Sequence, residues 1–214
     1  MGRRSLLDLF EPISRPFYDW MYRRGAPWES GPRSELVALI ESGAVTPDTV
    51  GPRAIDIGCG SGADTVFLAE QGFEVVGFDL SSVAIEKARA AAAAAGVRPE
   101  LIVADIFDLP VKGPFDLLFD GGTIDDFPPS KRPEVVEVLD RLSRPGSILA
   151  LWCFYGRDAD LPWLSFGGPS RWGAPGIEPD ELNDLFGRAW EISLVSGGQE
   201  DQAAFFRLTR RPTV

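Results

Sequence analysis

Short apolar runs alternate with longer helix-like segments through most of the chain from Arg53 onward. The runs are rich in β-branched and aromatic residues, which favour strands. The predicted strands are residues 53–57, 74–78, 100–103, 115–119, 148–154, 190–195 and 203–208. Strands that alternate with helices in this way are typical of βαβ units, which build a parallel sheet.

Predicted helices separate these strands, and they begin near Ser61, Ser81, Pro128 and Pro179. Ser and Pro are favoured at helix starts, because a hydroxyl can accept from a free amide and proline holds a helical φ. Gly197 and Gly198 lie between the last two strands, so this connection reads as a hairpin and the last strand as antiparallel.

The sequence therefore predicts an α/β fold: a doubly wound, Rossmann-like sheet of seven mostly parallel strands with an antiparallel last strand. Residues 1–45 form an aromatic-rich leader with a helical segment at 34–42, which we expect to pack on the sheet as an N-terminal cap. Residues 53–214 would be the core of a single domain spanning 1–214. An irregular stretch at 155–177, rich in Gly, Pro and Trp, is the expected active-site loop.

Composition excludes several kinds of function. The net charge is −11, and no stretch gathers a basic stripe, so nucleic acid is not an expected partner. No apolar run approaches a membrane span, and we expect a cytoplasmic protein. The chain has two cysteines and no histidine, which excludes histidine-based catalytic triads and the usual zinc sites.

The segment from Asp56 to Gly62 (DIGCGSG) joins a predicted strand to a predicted helix. Glycines in this position let a ligand approach the backbone closely. Gly58, Gly60 and Ala63 also fit a dinucleotide-binding pattern, with Asp79 placed as a ribose acceptor. The loop alone thus leaves open a nicotinamide oxidoreductase.

Two further carboxylates favour S-adenosylmethionine (SAM). Asp56 precedes the glycine loop and Asp105 ends the third predicted strand. Extra negative charge gives little advantage beside a pyrophosphate. SAM carries an ammonium, a ribose diol, an adenine and a sulfonium but no phosphate, and it suits a row of acids.

Four stretches carry a family resemblance: MYRRGAPWESGPRSELVALIESG, AIDIGCGSGADTVFLAEQGFEVVGFDLSSVAIEKAR, ADIF and GPFDLLFDGGTIDDFPPSKRPEVVEVLDRLSRPGS. They resemble the class I SAM-dependent methyltransferases, and the region from Trp20 to about Leu151 resembles the thiopurine and thiol methyltransferase group with its small bacterial relatives. The glycine motif is common to the class, and the PWE leader is more specific to the group.

The resemblance implies a role for each matching residue. Gly58, Cys59 and Gly60 would line the methionine part of the cofactor, Asp79 would bind the ribose hydroxyls, and Asp105 with the Ile106 amide would hold the adenine. Asp120 would end the fourth strand beside the reacting centre, and Trp28 of the PWE motif would close over the cofactor. The full set of expected cofactor-binding residues is Trp28, Asp56, Gly58, Cys59, Gly60, Asp79, Leu80, Asp105, Ile106 and Asp120.

Simpler structural roles remain open for three of these residues. Asp79 could cap the following helix, Asp105 could be a turn residue, and Trp28 could be a core aromatic. Cys59 is expected to pack against the ligand without redox chemistry.

Asp125 and Asp126 depart from the family, whose members often have histidine or apolar residues at these positions. With Asp120 they are the candidate catalytic residues: paired carboxylates could act as a base, hold Mg²⁺ or clamp a polyol. They could equally cap the next helix. The candidate substrate-binding aromatics are Tyr18, Tyr155, Trp163 and Trp172, whereas Trp152 and Phe154 lie in a strand and are expected in the core.

The expected reaction is methyl transfer to a small molecule, preferably to a hydroxyl of a sugar or natural-product intermediate. A thiol acceptor is the first alternative, and a domain that binds SAM or a nucleoside without turnover is the second. We expect a monomer or a homodimer.

Overall fold

The computed structural model describes residues 15–156 and 176–212. Its centre is a seven-stranded sheet in the order β3-β2-β1-β4-β5-β7-β6. Its strands are β1 Arg53–Ile57, β2 Glu74–Asp79, β3 Glu100–Val103, β4 Leu117–Gly121, β5 Ile148–Phe154, β6 Trp190–Gly198 and β7 Ala203–Arg210. The first five strands pair in parallel, and β7 lies antiparallel between β5 and β6. The predicted mostly parallel sheet with an antiparallel last strand is confirmed.

Seven α-helices lie in the described ranges. They are α1 Arg15–Arg24, α2 Ser34–Glu41, α3 Pro47–Val50, α4 Ala63–Glu70, α5 Ser82–Ala95, α6 Arg132–Leu142 and α7 Pro179–Phe186. Ser81 caps α5, since its hydroxyl accepts from the Ala84 amide at 3.2 Å. None of the helices in residues 15–156 and 176–212 is long and apolar enough to cross a membrane.

The apolar side chains form clusters on both faces of the sheet, as alternation along a strand requires. On β1, Ile55 and Ile57 belong to the cluster that contains Val135 of α6 and Leu182 of α7. Ala54, which precedes Ile55 and so faces the other side of the sheet, belongs to the cluster that contains residues of α2 and α4. Helices therefore cover both faces, which is the doubly wound arrangement.

Several predicted boundaries were wrong. β4 begins at Leu117, because the amide of Phe115 instead donates to the Leu142 carbonyl. β6 continues through Gly198, so the two glycines lie in the strand, and the turn follows them at 199–202. α6 begins at Arg132, after a turn that closes between Lys131 and the carbonyl of Pro128.

The leader is tied to the start of α5. The Asp19 carboxylate accepts from the Ser81 hydroxyl at 2.6 Å and the Val83 amide at 3.4 Å. Lys87 donates to the Tyr22 carbonyl at 2.6 Å and pairs with Glu29 at 2.8 Å. These contacts hold α1 and the following PWE segment against the sheet domain, as the predicted cap requires.

Candidate active site

The carboxyl ends of β1, β2 and β4 meet at one edge of the sheet, because these strands are parallel neighbours. Ile57, the last residue of β1, is in register with Phe78 of β2 and with Asp120 of β4. Asp79 and Asp120 therefore flank the strand that leads into the glycine loop. Ligands of open α/β sheets bind outside the carboxyl ends of the strands, at such a crevice.

Three glycines shape the loop after β1, and each has a positive φ: 63° at Gly58, 53° at Gly60 and 87° at Gly62. A Cβ on Gly58 would overlap the Thr123 hydroxyl, and one on Gly60 would lie 2.8 Å from the Tyr22 hydroxyl. Other residues are thus disfavoured both by backbone conformation and by space. The loop is enclosed by the leader on one side and the segment after β4 on the other.

Asp79 joins the end of β2 to this loop. Its carboxylate accepts from the Ser81 amide at 2.7 Å and the Gly60 amide at 3.0 Å. It is buried, and burial raises its pKa to about 6 while these hydrogen bonds oppose the rise. The helix cap of α5 is Ser81, so capping is not the role of Asp79. Leu80, half-buried, stands between them.

Asp56 and Cys59 lie beneath the loop. Asp56 is almost wholly buried, and its Oδ2 accepts from the Thr65 hydroxyl at 2.5 Å. Burial, with the nearby charge of Asp64, raises its pKa well above the usual value. Burial also raises the pKa of the Cys59 thiol, which favours the unreactive protonated form.

Asp105 follows β3 and opens a 3₁₀ helix at Ile106–Asp108, where its exposed carboxylate accepts from the Phe107 amide at 2.9 Å. Asp105 thus makes the turn contact that the simpler interpretation required. The Ile106 side chain beside it is buried. The 3₁₀ helix presents Phe107, which is 43% exposed and contacts Phe127 edge-on.

Trp28 is a surface residue of the leader, with 43% of its area exposed, so the core-aromatic alternative was wrong. Its indole Nε1 donates to the Tyr22 hydroxyl at 3.0 Å, and its ring packs edge-on against Tyr18 and Tyr22. Tyr22 was not among the predicted site residues, although it touches Gly60. The sequence shows that Tyr22 belongs to an aromatic leader, but it does not show that the side chain is buried.

Asp120 organises the turn after β4. It is fully buried and accepts from the amides of Gly122, Thr123 and Ile124 at 3.0, 2.7 and 3.2 Å. Burial raises its pKa to about 7, against the effect of these hydrogen bonds. Its carboxylate thus builds the segment that carries Asp125 and Asp126.

Asp125 and Asp126 lie in a 3₁₀ helix at Ile124–Asp126, six or more residues before α6 begins at Arg132. The alternative that they cap the next helix was therefore wrong. Oδ2 of Asp125 accepts from the Phe154 amide at 2.8 Å, at the end of β5. Oδ2 of Asp126 accepts from the Tyr18 hydroxyl at 2.8 Å.

The two carboxyl groups have near-neutral pKa values. Burial raises the pKa of Asp125 to about 6 and that of Asp126 to about 7, and the charge of Asp125 adds to the rise at Asp126. Oδ1 of Asp125 is buried and accepts no hydrogen bond from any residue that the structure describes. This oxygen is therefore available to a ligand.

The same geometry does not support the predicted Mg²⁺ site. Asp125 and Asp126 engage different partners, the end of β5 and the leader. Among residues 15–156 and 176–212, no group of three or more His, Cys, Asp or Glu side chains could hold a metal ion. Adjacent acids in the sequence suggested a shared cation, but a turn of 3₁₀ helix directs neighbouring side chains apart.

The remaining aromatic candidates differ in position. Tyr18 is half-buried and lies where the leader meets the site. Burial raises the pKa of its hydroxyl, and the charges of Asp126 and Asp79 add to the rise. Tyr155 packs edge-on against Phe206 of β7. Trp163 and Trp172, with most of the predicted loop at 155–177, lie outside the described residues. Trp152 packs with the cluster near α2 and α4, as predicted.

Two arginines near Asp125 were missed by the sequence analysis. Arg132 is fully buried, pairs with Glu181 at 2.6 Å and donates to the Asp125 carbonyl at 3.2 Å. Arg33, just after the PWE segment, lies over the Trp152 ring at 3.8 Å and donates to the Gly121 carbonyl at 2.9 Å. A buried row of acids is a reason to look for such cations, although the sequence does not tell which arginines reach them.

Comparisons with known proteins agree with this geometry. Residues 54–146 match a family model described as a methyltransferase domain. The 2-heptyl-1-hydroxyquinolin-4(1H)-one methyltransferase of Mycobacteroides abscessus is 30% identical over 195 residues, which cover 90% of this chain and 80% of that protein. A probable thiol methyltransferase of Arabidopsis thaliana is 30% identical over 159 residues, covering 71% and 69%.

The fold also matches solved structures. The N-methyltransferase NodS of Bradyrhizobium japonicum, in complex with S-adenosylhomocysteine (SAH), superposes with a TM-score of 0.68 over 93% of this chain and 98% of its own, at 20% identity.

The chain belongs to the class I SAM-dependent methyltransferases. It is a SAM-dependent methyltransferase of small molecules. The nicotinamide alternative and the alternative of a binding domain without turnover are thereby set aside.

Proposed function

We propose that the protein methylates a hydroxyl group of a small, flat-ringed acceptor and that Asp125 removes the hydroxyl proton. The observation that carries the proposal is Oδ1 of Asp125, which is buried and accepts no hydrogen bond from the described part of the chain. Its partner oxygen is held by the Phe154 amide, so the carboxyl group has a fixed orientation.

The residues at this edge fit SAM. Its methionine part would lie along Gly58, Cys59 and Gly60, its ribose at Asp79 and Leu80, and its adenine at Asp105 and Ile106. Asp56 would contribute negative charge beneath the amino group, and Trp28 would cover the cofactor. The positive-φ loop and the buried acids support this placement, because cationic groups of the ligand offset the cost of burying carboxylates together.

When bound, SAM supplies a methyl group on a sulfonium, which becomes a neutral thioether as the nucleophile attacks. The protein has to align the nucleophile and exclude water. A hydroxyl is a weak nucleophile until its proton is removed. General bases work best with a pKa near the operating pH, and Asp125, with a pKa of about 6, meets this condition.

Asp126 and Tyr18 would form the wall beside this base. The Tyr18 hydroxyl donates to Asp126, so this acid is already engaged and Asp125 is the better candidate for the proton. Asp120, engaged with three backbone amides, would position the segment. Tyr155, which directly follows β5, is a proposed acceptor-facing aromatic. Trp163 and Trp172, outside the described residues, are proposed for the same role on the sequence alone.

The relative in Mycobacteroides abscessus supports a flat hydroxylated acceptor, since the compound in its name carries a hydroxyl on a bicyclic ring. A sugar or another natural-product intermediate is the wider class. The Arabidopsis thaliana relative favours a second candidate, a thiol. A thiol ionises in part by itself and depends less on a base.

The test is an assay of SAH release with hydroxylated aromatic rings, sugars and thiols, using the wild type, Asp125→Asn and the control Asp184→Asn. Asp184 is an exposed residue of α7. For a hydroxyl acceptor we expect Asp125→Asn to lower kcat by about 10²- to 10⁴-fold and to leave the SAH dissociation constant unchanged. Wild-type turnover in Asp125→Asn, or activity with thiols alone, contradicts the proposal.

A further inference from the structure

A second buried polar atom, on Arg33, lies unused beside the glycine loop. Nε of Arg33 is buried and donates no hydrogen bond to any residue in the described ranges. Leaving such a donor unpaired in the interior is unfavourable, and more so when it belongs to a charged group. An unpaired donor of this kind, at the edge of the sheet where ligands bind, indicates that a bound ligand accepts its hydrogen bond.

Arg33 is held in place by several contacts. Its backbone amide donates to Asp64 of α4 at 2.7 Å, and the residue directly precedes α2. Its Nη2 donates to the Gly121 carbonyl at 2.9 Å, and the guanidinium lies over the Trp152 ring at 3.8 Å. The side chain is therefore pre-positioned, with Nε as the donor left over.

The position of Nε is set by the end of β4. A Cβ added to Gly121 would lie 3.6 Å from it. Two residues further on, the Thr123 hydroxyl donates to the Ile57 carbonyl at 2.9 Å and fills the space beside Gly58. The Arg33 guanidinium therefore lies at the end of β4, next to the segment whose Thr123 packs against Gly58 of the glycine loop.

The other ionisable side chains around this edge are mainly carboxyl groups. Asp56, Asp64, Asp120 and Asp125 lie around β1 and β4. Arg132 has all of its nitrogens engaged by Glu181 and two carbonyls, and Lys87 is paired with Glu29. The methionine part of SAM carries a carboxylate as well as an ammonium, and a carboxylate among these acids needs a cation.

We propose that Arg33 binds the methionine carboxylate of the cofactor through its free Nε and its guanidinium charge. The hydrogen bond from Arg33 to the Gly121 carbonyl fixes the orientation of the guanidinium group, and the Trp152 ring packs against its flat face. A charge-assisted contact of this kind also explains why an arginine stands here: its planar group can stack on Trp152 and donate from two edges at once.

The experiment measures binding by calorimetry without any acceptor, so it is independent of the proposed hydroxyl chemistry. The ligands are SAH and decarboxylated SAH, in which hydrogen replaces the carboxylate. For the wild type we expect SAH to bind about 10- to 100-fold more tightly. In Arg33→Gln we expect the affinity for SAH to fall by that factor, while the affinity for decarboxylated SAH stays within about twofold of the wild-type value. The ratio of the two affinities then approaches one.

Arg53→Gln is the matched control. Arg53 also donates to backbone carbonyls and lies over an aromatic ring, that of Phe115 at 4.7 Å, but at the opposite end of β1. It should keep the wild-type ratio. Arg33→Lys retains the positive charge and should restore part of the discrimination lost in Arg33→Gln.

Three results overturn the proposal: a wild-type ratio near one, an unchanged ratio in Arg33→Gln, or an equal loss of affinity for both ligands in that variant. If Arg33→Gln does not fold, the wild type and Arg33→Lys decide the question. A wild-type protein that binds SAH and decarboxylated SAH with equal affinity contradicts a carboxylate contact. An Arg33→Lys protein that binds the two ligands with equal affinity also contradicts it. Failure of the hydroxyl proposal would instead appear as normal turnover in Asp125→Asn with these ratios intact.

Discussion

Tyr18 of the leader donates its hydroxyl to Oδ2 of Asp126 at 2.8 Å, across 108 positions of sequence. The contact joins the segment after β4 to a helix that also packs on α5. It brings the leader into direct contact with the acidic segment, so that the cap forms a wall of the site.

Tyr18→Phe tests this contact. The hydrogen bond lowers the pKa of Asp126, which burial has raised to about 7. Its removal should raise that pKa further, by up to about one unit for a hydrogen bond of roughly 1–1.5 kcal/mol. If turnover requires ionised carboxylates, the acid limb of the kcat profile should move to higher pH. The loss of activity should be larger at pH 6.5 than at pH 8.5.

Asp126→Asn provides the comparison for this profile, because it removes the ionisable group itself. The part of the acid limb due to Asp126 should then disappear, whatever the effect on the maximum rate. Superimposable profiles for the wild type and Tyr18→Phe would show that the Tyr18 contact has no influence on the reacting groups.

Asp79→Asn should weaken SAH binding by about 10-fold or more, since a carboxylate that accepts two ribose hydroxyls makes charge-assisted bonds of roughly 1.5–3 kcal/mol each. Wild-type affinity should also fall as the pH drops below about 6, where Asp79 becomes protonated. Calorimetry with SAH measures both effects, with Asp184→Asn as the control.

The Asp79 substitution also removes an acceptor for the Gly60 or Ser81 amide, so some loss of stability is expected. Denaturant titration beside the binding measurement separates the two effects. A folded Asp79→Asn protein with unaltered SAH affinity would place the ribose elsewhere.

Chelation should leave the reaction unchanged. Asp125 and Asp126 engage the Phe154 amide and the Tyr18 hydroxyl, and these partners separate the two carboxylates that a cation would have to share. We expect equal turnover with EDTA, with added Mg²⁺ and with neither. Inactivation by EDTA that Mg²⁺ reverses would restore the metal hypothesis.

The buried acids should make the ligand-free protein less stable as the pH rises. The pKa of Asp120 is about 7 in the folded protein against 3.8 in the unfolded chain. Between these values the folded state binds more protons, so the free energy of unfolding falls with increasing pH and levels off above about pH 7. Thermal unfolding should show a lower Tm at pH 7.5 than at pH 5, by about 2–4 °C for each kcal/mol lost.

Asp120→Asn should reduce this slope, because the group that takes up the proton is gone. The slope should not vanish, since Asp79, Asp125 and Asp126 also have raised pKa values. A Tm that rises from pH 5 to pH 7.5 in the wild type would contradict the burial of these carboxylates.

The local pattern of the sequence was sufficient for the sheet and for the position of the glycine loop after β1. Seven strands, the glycine loop and the place of Asp79 at the end of β2 could be predicted because their signals are short-range: alternation, β-branched runs, and glycines between a strand and a helix. The role of Asp79 toward the cofactor stays a prediction. Boundaries were less predictable where tertiary hydrogen bonds decide them. Phe115 leaves the β4 ladder for the Leu142 carbonyl, and no local signal indicates that choice.

The roles of the acids and of the leader were decided by the tertiary structure. Asp125 and Asp126 are adjacent in sequence, and only the folded chain sends one to β5 and the other to Tyr18. Arg33 had no motif of its own, and it becomes significant because α2 and Trp152 hold its guanidinium at the end of β4. Burial and long-range contacts set the pKa values and the unpaired donors, and these depend on neighbours that the linear sequence does not show.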